Sequence, residues 1–170
     1  MRAGTRARWL QRAALMWLAL LACGPAAALC TGVCTCSASA TAVAFGSAWS
    51  PISGAAQAST GNVRVTCGGV LGVLIPISVS LSAGQSGDAM ARRMVAGSQS
   101  LAYNLYTDSG YGTVWGNGAA GTQTVSGSIL INVLSGTSLD LPVYGRIPGS
   151  QPGVRAGSYA DTITVTITYN

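Results

Sequence analysis

Five cysteines, Cys23, Cys30, Cys34, Cys36 and Cys67, are the residues best suited to chemistry in this chain. A thiolate can attack an electrophile, hold a metal or join a second cysteine. The chain has no histidine, lysine or glutamate. A cysteine nucleophile therefore has no imidazole to take its proton, and general acid–base catalysis lacks its commonest agent. Asp88, Asp108, Asp140 and Asp161 are dispersed, with no paired arrangement of carboxylates. The glycine-rich stretches lack the G-x-x-x-x-G-K-[ST] pattern of a phosphate cradle. No enzyme is expected and no cofactor is implied. A zinc reading of Cys30, Cys34 and Cys36 lacks both a histidine and the usual paired spacing. Disulfide chemistry is what remains.

Disulfides need an oxidising compartment, and the N-terminus supplies the address. Arg2, Arg6, Arg8 and Arg12 precede an apolar run over residues 13–22, and Ala26-Ala27-Ala28 fits an A-x-A cleavage pattern. Residues 1–28 read as a signal peptide and 29–170 as one domain. The apolar run falls short of the roughly 20 residues that span a bilayer. Leu20-Leu21-Ala22-Cys23-Gly24 is a partial lipoprotein-type signal that would lipidate Cys23; the better-formed A-x-A site favours ordinary cleavage. The net charge of +5 is largely a property of the leader, which holds four of the nine arginines. Arg64, Arg92, Arg93, Arg146 and Arg155 are left against the four aspartates. The basic balance therefore carries no nucleic-acid reading.

With Cys23 in the leader, four cysteines remain, and four allow three pairings. A bridge from Cys34 to Cys36 is awkward, because alternate strand positions lie roughly 6.5–7 Å apart. The favoured set is Cys36–Cys67, with Cys30–Cys34 closing a small terminal loop.

The elements that position these residues are strands. Residues 161–169 alternate without a break: Ile163, Val165, Ile167 and Tyr169 on one face, threonines on the other. Period two with β-branched residues predicts a half-buried strand. Ile75, Ile77, Val79 and Leu81 predict another, in which Pro76 marks an edge or a bulge. Further strands are predicted at 36–45, 62–67, 101–106, 129–133 and 139–143, separated by glycine- and serine-rich loops at 53–61, 84–97, 109–121 and 148–157. About seven such strands with turns between them read as an all-β, disulfide-stapled sandwich.

Other side chains have two readings. Arg92 and Arg93 could contact a ligand or chaperone, or meet Asp88 or Asp108 at the surface. Tyr111 and Trp115, among glycines, could form an adhesive aromatic tip, or Trp115 could plug one end of the core. Trp49 and Tyr144 read as packing residues, and Asp161 as turn chemistry at a strand start. Tyr159 is an analogue of the tyrosine corner of sandwiches.

The motifs in order resemble the spore coat protein U domain, which includes subunits of archaic chaperone–usher pili. They are Cys36 with Phe45-Gly46, Val63-Arg64-Val65-Thr66-Cys67, Ser82-Ala83-Gly84, Arg92-Arg93-Met94, Leu101 to Asp108, Trp115-Gly116, Leu141 to Arg146, and Ala156 to Thr162. They cover nearly all of residues 29–170. The resemblance implies an incomplete immunoglobulin-like β-sandwich of about six or seven antiparallel strands, lacking its last. It implies a periplasmic chaperone that lends a strand, an outer-membrane usher, and other pilus subunits whose N-terminal extensions replace the lent strand. The inward faces of Ile163, Val165, Ile167 and Tyr169 would line the groove, with the first strand, 36–45, opposite. The chain ends at Asn170, directly after its best strand, as such a subunit would. It departs from the pattern in one place: only residues 29–35 precede Cys36, where a donor needs an alternating run of about ten residues. A tip or minor subunit with a role in adhesion or biofilm formation is the expectation. The alternative is a free-standing secreted sandwich that binds a surface glycan.

Overall fold

The computed structural model describes residues 34–47, 50, 54–132 and 136–169. Among them run nine strands and two single 3-10 turns, at Gly84–Ser86 and Ala89–Ala91, and no α-helix. The strands are β1 (Thr35–Thr41), β2 (Gln57–Gly68), β3 (Leu74–Leu81), β4 (Arg93–Ala96), β5 (Gln99–Ala102), β6 (Asn104–Tyr106), β7 (Val125–Leu130), β8 (Thr137–Ile147) and β9 (Val165–Tyr169). One sheet has the order β1-β2-β8-β6 and the other β7-β3-β9, with β4-β5 as a separate hairpin. Every ladder is antiparallel.

Alternation along each strand builds the core. Val63, Val65 and Cys67 of β2, Leu141 and Val143 of β8, and Ile75, Ile77, Val79 and Leu81 of β3 are all buried in one cluster between the two sheets. Each such side chain contributes about 1.5–3 kcal/mol of transfer free energy. Their neighbours point outward: on the solvent face Arg64 pairs with Asp140 through two hydrogen bonds of 2.8 Å. That contact holds the Asp140 carboxyl below its ordinary range, with help from the Asn62 amide.

The sandwich departs from the expected strands where polar sequence hides the signal. β2 begins at Gln57, not near residue 62, because Gln57–Thr60 pair with residues 144–147 of β8 although they show no apolar period. The predicted strand at 101–106 is two strands in different layers. β5 pairs with β4, and β6 with β8; the chain crosses between the layers at Tyr103, whose amide donates to the Arg92 carbonyl at 3.1 Å. β4 lies inside the region expected to be a loop. Pro76 sits on a central strand, not an edge. The register with β9 ends at Ile77↔Tyr169, so among the described residues Pro76 has a ladder partner on the β7 side alone and owes no amide to β9. β9 itself begins at Val165, four residues after Asp161.

The staple is as expected. Cys36 and Cys67 are directly opposed in the β1–β2 register and are bonded, with Cα atoms 4.1 Å apart. Cys34 is also disulfide-bonded. Cys30, Cys23, Trp49 and Val133 lie outside the described residues.

Candidate functional site

β1 and β9 are the end strands of their sheets, and they lie next to each other on the same flank of the sandwich. Neither has a ladder partner on its outer side among the described residues. The registers show which side chains face inward there. Ala38 opposes Val65 and Ala40 opposes Val63, so both alanines point toward the core, yet both are exposed. Val165, Ile167 and Tyr169 oppose the buried Leu81, Val79 and Ile77, and they pack on the core while remaining half-buried. Two inward faces are therefore under-covered along one line.

Between them the flank opens into a cleft of about 500 Å³ whose apolar lining includes Val43, Phe45, Leu105, Val143, Ile163 and Val165. The chain after β1 forms one wall. It is held to β2 by the Ser59 hydroxyl, which donates to the Ala44 carbonyl at 2.7 Å, and by the Gln57 amide, which donates to the Phe45 carbonyl at 3.3 Å. Gly145 of β8 lets this wall approach: a Cβ there would collide with Val43 and Phe45. Phe45 meets Tyr103 edge to face, with ring centroids 6.1 Å apart. Ile163 and Val165, predicted as groove residues, line this cleft; Ile167 and Tyr169 lie on the same face of β9 but outside it.

The cleft contains one polar corner. The Tyr103 hydroxyl donates to Asp161 Oδ2 at 2.7 Å, while Asp161 Oδ1 accepts from the Gln85 amide at 2.9 Å and the Thr162 amide at 2.8 Å. Burial, and then the carboxylate, push the Tyr103 hydroxyl well above its ordinary pKa. Gly84, at φ +67°, closes against this carboxylate, and any Cβ there would fall on it. This explains why Ser82-Ala83-Gly84 and Asp161-Thr162, far apart in sequence, both matter. Tyr159 bonds back to the Arg155 carbonyl at 2.8 Å, as a tyrosine corner would.

Behind the corner lies Arg92, wholly buried. Its Nε and one terminal nitrogen donate to the Ser82 carbonyl at 3.0 and 2.6 Å. That nitrogen also reaches the Trp115 carbonyl at 2.8 Å, and the other terminal nitrogen reaches Asn104 Oδ1 at 2.9 Å. Burial lowers its pKa, but a guanidinium stays charged. The expectation that Arg92 meets Asp88 or Asp108 at the surface is corrected. Asp88 caps the second 3-10 turn through the Met90 amide at 2.8 Å, and Asp108 accepts the amides of Gly110, Gly112 and Thr113. Those amides, Gly112 foremost, hold the Asp108 carboxyl below its ordinary range.

The adhesive-tip reading is corrected in half. Trp115 is 0% exposed and donates its indole N–H to the Val79 carbonyl at 2.9 Å, so it closes the core and presents nothing outward. Tyr111 is half-buried, against Tyr106 at 5.4 Å and under Arg146 at 5.0 Å. The two rings do not form one surface. Among the described residues no group of three or more metal-ligating side chains comes together, and no helix is long and apolar enough to cross a membrane. Val43 and Phe45 belong to the segment 36–45 expected as the opposite wall, although β1 itself ends at Thr41. Sequence reasoning missed Tyr103 as a cleft residue.

The family model of the Spore Coat Protein U domain matches residues 23–166. Among solved structures, the chain is similar to one in the crystal structure of the CsuC–CsuE chaperone–tip adhesion subunit pre-assembly complex from the archaic chaperone–usher Csu pili of Acinetobacter baumannii. The two are 22% identical with a TM-score of 0.51, over 79% of this chain and 40% of that one. This chain thus spans less than half of that one, and the likeness is one of fold. No curated protein matches. The matched region runs from residue 23 into β9 and takes in the cysteine staple, the Arg92 pole and the cleft, and on that ground the chain belongs to the Spore Coat Protein U domain family.

Proposed function

We propose that this protein is a structural subunit of a chaperone–usher surface pilus, exported after removal of residues 1–28 and completed by a strand from another polypeptide. The observation that supports this most directly is the flank between β1 and β9. An open sheet edge presents unpaired N–H and C=O groups, and an extended segment can add to it. Here the edge of β9 borders a cleft whose apolar walls, from Val43 to Val165, lack a cover among the described residues. A strand with alternating apolar side chains would take both the edge and the cleft. In the periplasm a chaperone would supply it, and at the outer-membrane usher a neighbouring subunit would replace it. The role is structural and not catalytic.

A tip or minor position suits the N-terminal side. Residues 29–35 span roughly 23–25 Å when fully extended and contain Cys30 and Cys34, which leaves little for donation to a neighbour. At such a position the protein would serve attachment or biofilm formation, with a surface or glycan as its ligand.

The test is to purify residues 29–170 and titrate them with peptides of alternating apolar sequence. Binding should suppress aggregation, raise the thermal midpoint and slow hydrogen exchange at β9 amides. A soluble monomer whose β9 amides are already protected, and which ignores every peptide, would overturn the proposal.

A further inference from the structure

The pilus reading says that a strand fills the flank; the polar corner of the cleft says something about which strand. Of the residues that line the cleft, Asp161 alone is charged. It has no ion-pair partner within contact distance among the described residues. Arg92 lies behind it, but that guanidinium spends its hydrogen bonds on the neutral oxygens of Ser82, Asn104 and Trp115. A carboxylate offers about four acceptor positions. The Gln85 and Thr162 amides use two on Oδ1, and the Tyr103 hydroxyl uses one on Oδ2. One position on Oδ2 is left over.

As an open cleft, this corner is wetted and the unmet position costs nothing. A strand laid across the cleft excludes water, and a carboxylate sealed in apolar surroundings is costly unless it is paired. We propose that the strand completing this cleft carries a lysine or arginine at the position that reaches Asp161, two or four residues from an apolar side chain seated between Val43 and Ile163. The spacing follows from period two, which places residues i, i+2 and i+4 on one face. Asp161 acts as a specificity-determining residue. It favours the cationic strand by a charge-assisted hydrogen bond and rejects an acidic one by repulsion, the two arms of discrimination between partners.

This inference rests on the pilus-subunit reading, and the test separates the two. A single alternating apolar peptide is prepared as a family in which one inward position at a time is lysine, methionine or glutamate. Each member is titrated against residues 29–170. At one position the lysine peptide should bind about tenfold tighter than its methionine twin, the size of one charge-assisted bond. The glutamate twin should bind weakest. In Asp161→Asn no carboxylate is sealed under the strand, so the methionine twin should bind tighter than it does to the unchanged protein, and the lysine preference should disappear. In Tyr103→Phe, which keeps the carboxylate and frees a second position on it, the preference should persist. Equal binding of the three twins at every position, or a lysine preference that survives Asp161→Asn, overturns this inference and leaves the pilus reading standing. Binding by none of the peptides overturns both.

Discussion

The pole around Arg92 and the flank between β1 and β9 both border Leu81 and Tyr103, yet they are finished in opposite ways. At the pole a fully buried cation finds oxygens from three separate parts of the chain. Trp115 and Asn104, buried beside it, are partnered as well. Among the described residues no buried side-chain polar atom lacks a hydrogen bond. On the flank, the outer edges of β1 and β9 have no ladder partner among the described residues and inward-facing alanines remain exposed. Polar satisfaction is complete where the chain supplies all of its own partners. What the flank between β1 and β9 lacks among the described residues is apolar cover and backbone pairing, and those are the two things a strand can bring.

That contrast can be broken from either end. Arg92→Ala should have the largest effect. It takes the donor from the Ser82 and Trp115 carbonyls and leaves Asn104 Oδ1 with the Leu105 amide alone, at a cost of about 4 kcal/mol. Urea denaturation should show this loss with or without a bound peptide, because the pole owes nothing to the flank. A loss confined to the unfilled protein would mean the two regions are not separable. Next is the double change Cys36→Ser and Cys67→Ser. The bridge closes 31 residues of chain, and opening it should lower stability by about 3.7 kcal/mol in the chain-entropy account. It should also weaken peptide binding, since β1 is one rim of the cleft. Smallest is Ile163→Ala. In the free protein this half-buried side chain should cost about 1 kcal/mol, and more once a strand covers it. An equal cost in both states would show that the strand does not seat beside Ile163.

How much of this was legible depended on whether a side chain's partners are near or far in sequence. β3 and β9 declared themselves, because period two is a local signal and half-burial leaves it intact. Cys36 and Cys67 also did, since few pairings were open to them. The first residues of β2 did not, because Gln57–Thr60 are strand only through their pairing with β8. Arg92 was misplaced because a charge is expected at the surface, and what overrides that is a set of acceptors 10, 12 and 23 residues away. Trp115 had two readings, an exposed tip and a plug of the core, and its full burial and the indole bond to the Val79 carbonyl decide for the plug. Both sides of the cleft were legible as strands, the terminal one and the segment 36–45; what was hidden is the close approach at Gly145, more than a hundred residues downstream, which makes room for Val43.

The covalent bridge has a bearing on the order of events in the cell. One lip of the receptacle, β1, is tied to the body of the molecule by a bond that only a reductant can open; the other, β9, is held by hydrogen bonds to β3. On the proposed reading, an incoming segment would meet one lip pinned by the bridge as well as by its ladder to β2, and another held by its ladder alone. Export into an oxidising compartment would then favour loading, and a cell starved of its thiol oxidase should accumulate chains that bind their partner more weakly.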